Sequence, residues 1–196
     1  MVSQFRYGID KLSVSTALEI ANGNLKAVLC PEAVSKINHS AEQVKEIVEG
    51  GRTVYGVNTG FGILANTGIS KEDTATLQYK ILQSHSVGVG DAIAVEVARL
   101  MLITKVQALA QGFSGVQLST IERIIWHIEN HVTPVVPKKG SVGASGDLAP
   151  LSHLFLPLIG LGEVFYQGKK MQTAEVLKSF QMNPVQLGAK EGLALI

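Results

Sequence analysis

The chain has 196 residues, enough for one domain with a real hydrophobic core. Its formal net charge of +1 gives no electrostatic reason to bind nucleic acid or an anionic membrane. Charged residues make up 17%, against about 25% in typical soluble domains, while apolar residues reach 46% and mean hydropathy is +0.24, so the chain is expected to be buried in a larger assembly or to be part of a longer protein.

Met1 to Arg6 hold no apolar signal core. Cys30 is the lone cysteine, so no internal disulfide can form, which suits a reducing compartment. Pro31 to Glu49 reads as a helix: Pro31 fits the first helical position, Val44 and Val48 are an i, i+4 pair, and Gly50-Gly51 ends it. Residues 53–69 are too rich in glycine and asparagine for a helix and read as a structured loop. Ser70-Lys71-Glu72-Asp73 resembles a capping box and opens a helix to about Val87, with Leu77, Ile81 and His85 on one face. Asp91 is expected to cap the next helix, 92–111, which is apolar nearly all round and should be buried. Its window holds Glu96, Arg99 and Lys105, and the other apolar window, 154–161, is too short to span a bilayer, so a soluble, cytoplasmic protein with no membrane partner is expected. Gly112 and Gly115 break the helix, and another runs from about 117 to 131, stopping before Thr133-Pro134.

After a loop over 133–146, Asp147 is expected to cap a helix to roughly Leu161, with Pro150 tolerated in its first turn and Pro157 kinking it. Glu163–Tyr166 and Lys169–Gln172, around Gln167-Gly168, read as a small hairpin. Thr173 caps a short helix, and 189–196 begins another, which suggests truncation. The fold class is mainly α.

Residues 139–153 carry the chemistry: Lys-Gly-Ser-Val-Gly-Ala-Ser-Gly-Asp-Leu-Ala-Pro-Leu-Ser-His. Ser145-Gly146-Asp147 lies where a Gly-rich loop enters a helix N-terminus, where backbone N–H groups and the positive dipole end gather. A hydrolase nucleophile elbow needs Gly-x-Ser-x-Gly after a strand, but Asp147 stands where the last glycine belongs. A phosphate loop needs Gly-Lys-Ser/Thr, but Lys139 precedes Gly140. An ordinary turn with a helix cap uses the same residue types. A third chemistry is self-cyclisation. The amide nitrogen of Gly146 attacks the carbonyl carbon of Ala144, water is lost, and Ser145 then loses its hydroxyl to leave an exocyclic methylidene. Glycine supplies an unhindered nitrogen that reaches unusual dihedrals. The product is an electrophile, which no side chain provides. His127 and His131 stand at i, i+4 but lack the glutamate that follows the first histidine in zincins, so they read as surface residues near a helix C-terminus, and no metal is expected.

Gly140-Ser141-Val142-Gly143-Ala144-Ser145-Gly146-Asp147-Leu148-Ala149-Pro150-Leu151 resembles the signature of the aromatic amino-acid ammonia-lyases, over twelve consecutive residues. In that family the tripeptide becomes 4-methylidene-imidazol-5-one (MIO). Tyr55 to Gly62 resembles the family's substrate loop, Gln111-Gly112-Phe113-Ser114-Gly115 a third segment with Gln for the usual Arg, and Lys190 to Leu195 the stretch before a family Asn-Gly-Thr. The resemblance implies the ammonia-lyase fold, with residues 1–196 as its N-terminal MIO-bearing domain, a small hairpin and the start of a helical bundle. It implies a homotetramer whose sites are assembled from several subunits.

Ser84-His85 resembles the histidine-directed branch, where the tyrosine branch has His-Leu and the phenylalanine branch Phe-Leu. The implied reaction eliminates ammonia from L-histidine to give urocanate, the first step of histidine degradation, after the substrate's amino group adds to the methylidene from Ser145. The resemblance implies that Tyr55 does acid/base work, that His85, Asn58 and Gly62 bind substrate, and that Asp147 helps the ring form. Read without it, His85 is a core histidine, Tyr55 packs a turn and Asp147 is a plain cap. A tyrosine or phenylalanine lyase, an aminomutase, or a non-catalytic helical assembly module are the alternatives. The 196 residues alone are expected to be inactive and uncyclised, and to associate through apolar faces of 92–111 and 147–161.

Overall fold

The computed structural model describes residues 4–51, 53–59, 71–142, 144 and 146–196. The fold is mainly α, with eight α-helices among the described residues. β1 (Phe5–Arg6) and β2 (Ala27–Val28) form a short parallel pair flanking α1 (Val14–Ala21). The sequence pattern gave no hint of α1. Its one local signal is Ser13, whose hydroxyl accepts from the Thr16 amide at 3.1 Å, and it is held by burial of Ala17, Ile20 and Ala21.

α2 (Pro31–Glu49) has the predicted bounds, with Pro31 in the first turn and the Gly50 N–H closing on Glu46. It buries Ala33, Ile37 and Ser40, while Val44 and Val48 are half-buried. α3 is Lys71–His85; Ser70, its expected cap, and residues 60–69 of the expected loop lie outside the described residues. Ile81 and Leu82 enter the core, and His85 is half-buried at the helix end.

Asp91 does not cap the next helix. It lies in β3 (Val89–Ala92), which pairs antiparallel with β5 (Pro137–Lys139), and the Ile93 amide donates to Val136 C=O at 2.8 Å. That pairing keeps the chain extended, so α4 (Val95–Leu109) starts after Ala94 without a side-chain cap. α4 buries Ala98, Leu102, Ile103, Val106 and Leu109 and packs on α1 and α5 (Leu118–Glu129). Its apolar face is thus largely internal. The exposed large apolar side chains include Val97, Leu148 and Leu161 within the two stretches expected from sequence, and Val87, Val89, Phe113 and Val142 outside them.

α5 corrects a second expectation. His127 is 1% exposed and faces inward, its Nδ1–H donating to Val132 C=O at 2.9 Å, whereas His131 is exposed past the helix end with φ +54°. The amphipathic stripe Thr120, Ile121, Ile124, His127, Ile128 takes the histidine inside. Burial pushes its imidazole down to about 4. The neutral ring stabilises the fold above the ordinary value of about 6.5, and that contribution is lost as pH falls towards the folded value. Between pH 7 and 4 the wild type is expected to lose about 3 kcal/mol more unfolding free energy than His127→Gln. Chemical denaturation at both pH values checks this, and equal losses would refute it.

The chain then forms β4 (Thr133–Pro134), β5, and α6 (Leu148–Phe155). Asp147 occupies the N-cap position of α6. Pro157 sits in a 3-10 turn, Leu156–Ile159, that takes over from α6, so the proline ends the α-helix rather than kinking it. β6 (Glu163–Tyr166) and β7 (Lys169–Gln172) make the predicted hairpin and extend onto β4. α7 (Thr173–Ser179) begins with Thr173, whose hydroxyl binds Gly162 C=O rather than capping from outside the helix. α8 (Glu191–Leu195) packs on α3 and α6. No described helix is long and apolar enough to cross a membrane.

Candidate active site

α3 is the element on which the signature segments meet. It packs against α6, whose N-terminus follows Ala144-Ser145-Gly146, and against α8. The Gly192 amide of α8 donates to Gln78 Oε1 of α3 at 2.9 Å. The turn that carries Tyr55 rests on α8 in turn: a Cβ at Gly56 would lie 2.7 Å from Leu193 Cδ2. Three stretches more than 20 residues apart in sequence are thereby tied to one helix.

The Tyr55 turn is held from within. The Val54 amide donates to Asn58 Oδ1 at 2.8 Å, and the Gly56 amide to Thr59 Oγ1 at 3.2 Å. Asn58 and Thr59 are buried, so the amide oxygen of Asn58 serves the turn. Tyr55 is 62% exposed. Gly62, the other residue expected to touch substrate in this loop, lies outside the described residues.

At the end of α3 the His85 Nδ1 is 2.8 Å from Ile81 C=O and 3.1 Å from Ser84 Oγ. A carbonyl only accepts, so Nδ1 carries the proton, and in the neutral imidazole Nε2 is left as an acceptor. The strap 86–88 leads from His85 into β3, and β3 pairs with β5, which leads into the signature. The pairing is intimate at one point. Gly140 has φ +135°, and a Cβ there would lie 2.8 Å from Gly88 Cα, so backbone meets backbone and only glycine fits.

Of the ring-forming residues, Ala144 is exposed, Gly146 is half-buried, and Ser145 lies outside the described residues. Gly146 has φ +71°, in the left-handed region, and its C=O accepts from the Ser141 hydroxyl. A tight bend with an unhindered amide nitrogen is what cyclisation onto Ala144 requires, so the residues present fit an MIO ring. Asp147 caps nothing with its side chain. Its charge acts instead on Lys105 of α4, whose ammonium sits 5.8 Å from the Phe155 ring centroid. Burial pushes Lys105 down to about 8, against the opposing pull of Asp147.

Sequence reasoning passed over Lys105 and His153. Lys105 carried a signal, as a cation in the apolar second half of its helix. His153 stood just past the signature, two residues after its Leu151. Its Nε2 accepts from the Gly88 amide at 2.9 Å. A cavity of about 660 Å³ lies elsewhere, between α2 and the start of α5, and is lined by Asn38, Val44, Lys45, Gln117 and Ser119 rather than by the signature residues.

Residues 12–196 match the family model for aromatic amino acid lyases. A histidine ammonia-lyase of Shewanella oneidensis is 49% identical over 185 residues, 94% of this chain and 36% of that protein. The structure of histidine ammonia-lyase from Trypanosoma cruzi superposes with a TM-score of 0.89 at 32% identity, over 99% of this chain and 38% of that one. Tyrosine aminomutase from Streptomyces globisporus gives 0.89 at 34% identity, over 99% and 36%. The chain therefore spans little more than a third of the length of these relatives. With the signature loop, the His85 helix and the Tyr55 turn gathered on one scaffold, and a family match over nearly all its length, the chain belongs to the aromatic amino acid lyase family.

Proposed function

We propose that residues 1–196 are the N-terminal, MIO-bearing domain of a histidine ammonia-lyase, which eliminates ammonia from L-histidine to give urocanate. The observation that carries the reading is the arrangement at the end of α3. Its His85 ring, held at Nδ1 by Ile81 C=O with Nε2 left as an acceptor, is joined through Gly88 and Gly140 to the loop of Ala144, Ser145 and Gly146. The histidine ammonia-lyase relative at 49% identity supports the substrate.

The MIO ring supplies an electrophile for the substrate's amino group. His85 Nε2 accepts an N–H of the substrate imidazole and orients it. Tyr55, on the exposed rim, moves a proton at the substrate, and Asn58 and Gly62 bind it. Asp147, uncommitted to capping, acts with Lys105 at the start of α6 to favour ring closure. The protein works in the cytoplasm as a homotetramer, and the exposure of Tyr55, Val87, Val89 and Val142 around the site is consistent with further polypeptide covering it.

The whole protein carrying this sequence is expected to convert L-histidine to urocanate, followed by absorbance, and to show a mass deficit of two waters across Ala144–Gly146. Turnover of tyrosine or phenylalanine without histidine would move it to the aminomutase or other aromatic-lyase branches. No turnover and no deficit would leave a non-catalytic helical module. His85→Leu should lower kcat/KM for histidine roughly ten- to a hundredfold with the mass deficit kept, because one hydrogen bond to a buried polar group is worth about 1–3 kcal/mol. An unchanged kcat/KM would remove His85 from the site.

A further inference from the structure

We propose that His153 is a positioning residue: by accepting the Gly88 N–H it holds the strap that follows His85 against α6, and so fixes the substrate-facing imidazole relative to Ala144-Ser145-Gly146. This role rests on the functional reading above; the contact itself does not.

Gly88 comes three residues after His85, and His153 six residues after Asp147. Their hydrogen bond, 2.9 Å, therefore bridges the two halves of the site. The strap is gripped from both sides at this residue. A Cβ on Gly88 would lie 3.0 Å from His153 Nε2 and 3.1 Å from Lys139 C=O, and Gly140 presses on the Gly88 Cα from β5. The other hydrogen bonds described for the strap are local: Ser86 Oγ donates to Leu82 C=O, the Ser86 amide to Gln83 C=O and the Val87 amide to His85 C=O. The link from strap to α6 is thus made at Gly88. A cavity of about 200 Å³ beside it, bordered by Met101, Pro137, Ser141 and Pro150, leaves room for the strap to shift once that bond is lost.

An amide N–H needs a lone pair, so Nε2 must be unprotonated and the proton must sit on Nδ1. The charged ring cannot accept. Burial lowers the pKa of His153 from its ordinary value, so the contact stands at neutral pH and fails only as pH falls through that lowered value. The charged groups sharing its two flanking cavities are Asp91 of β3, Lys138 and Lys139 of β5, Glu163 of β6 and Lys170 of β7. Glu163 and Lys170 pair with each other at 2.7 Å.

Two variants of the whole protein test this. His153→Leu removes the acceptor. His153→Gln keeps an amide oxygen that can accept and does not titrate. Amide hydrogen exchange of the 86–90 peptide needs no substrate. It is expected to be roughly tenfold faster in His153→Leu than in the wild type at pH 7, with His153→Gln near wild type. On acidification the wild type should exchange faster than His153→Gln, a comparison that stands even if the leucine variant fails to fold. In the same proteins kcat/KM for L-histidine should fall roughly tenfold in His153→Leu, with the two-water mass deficit retained, and recover in His153→Gln. Wild-type exchange in His153→Leu, or a glutamine variant no better than leucine, overturns the proposal. The expected exchange pattern in a wild type that makes no urocanate would sink the functional reading while supporting the Gly88 contact. Urocanate from the wild type with no exchange difference would sink the contact alone.

Discussion

Ser145→Ala in the whole protein is expected to lower histidine turnover by roughly a thousandfold or more, equivalent to about 4 kcal/mol in the barrier. Ammonia is a poor leaving group, and no unmodified side chain offers an electrophile to improve it. An alanine at 145 has no hydroxyl to expel, so the exocyclic methylidene cannot form even if the backbone ring closes. Gly146 at φ +71° and the Ser141 hydroxyl on its carbonyl are unchanged by the substitution, so the loop should keep its bend. Intact mass is the independent check: the deficit of two waters should shrink to one or vanish. A variant within tenfold of wild-type activity would eliminate the MIO reading.

Glu191→Ala should have the largest effect on stability, about 3–5 kcal/mol, or a fall in Tm of roughly 10 °C. Glu191 is 1% exposed. Its Oε1 accepts from the Gln117 amide at 2.9 Å and Thr120 Oγ1 at 2.8 Å, and its Oε2 from Gln117 Nε2 at 2.7 Å and the Gly188 amide at 2.6 Å. Alanine would strand these donors in a water-poor site, and the cost of leaving them unmade exceeds the value of an ordinary hydrogen bond. The start of α5 has no side-chain cap of its own, so this carboxylate, 74 residues away, stands in for one. Glu191→Gln, which keeps the shape and exchanges one acceptor for a donor, should fall between the two. Calorimetry decides, and a Tm within 2 °C of wild type in the alanine variant, against the roughly 2–4 °C expected per kcal/mol, would show that water replaces the carboxylate.

Much of the architecture was legible residue by residue. Pro31 with Gly50-Gly51 bounded α2, and the alternation around Gln167-Gly168 bounded the β6–β7 hairpin. These signals are local: a fixed φ, a left-handed turn and side-chain periods of 3.6 and 2 act within a few residues. The family signature at 140–151 was legible for a related reason, because a motif of successive residues depends on covalent order before it depends on packing.

The misplaced elements share a different cause. Asp91 has the composition of a cap, yet β5, nearly 50 residues on, takes that segment into a ladder. His127 reads as a polar residue at a helix end, yet the stripe it belongs to faces the core and Val132 C=O meets its one proton. Tertiary structure outweighs propensity at such positions, since a hydrogen bond made out of water is worth more than a few tenths of a kcal/mol of local preference.

By itself, then, the sequence determined the helical class and the α2 and hairpin boundaries, which follow from neighbours along the chain. Only the tertiary structure decided that Gly88 is caught between Gly140 and His153 and that Glu191 closes the start of α5. The Gly88 and Glu191 contacts join residues 52 to 74 positions apart. Their physical basis is close approach and the pairing of buried polar groups, which no local spacing encodes.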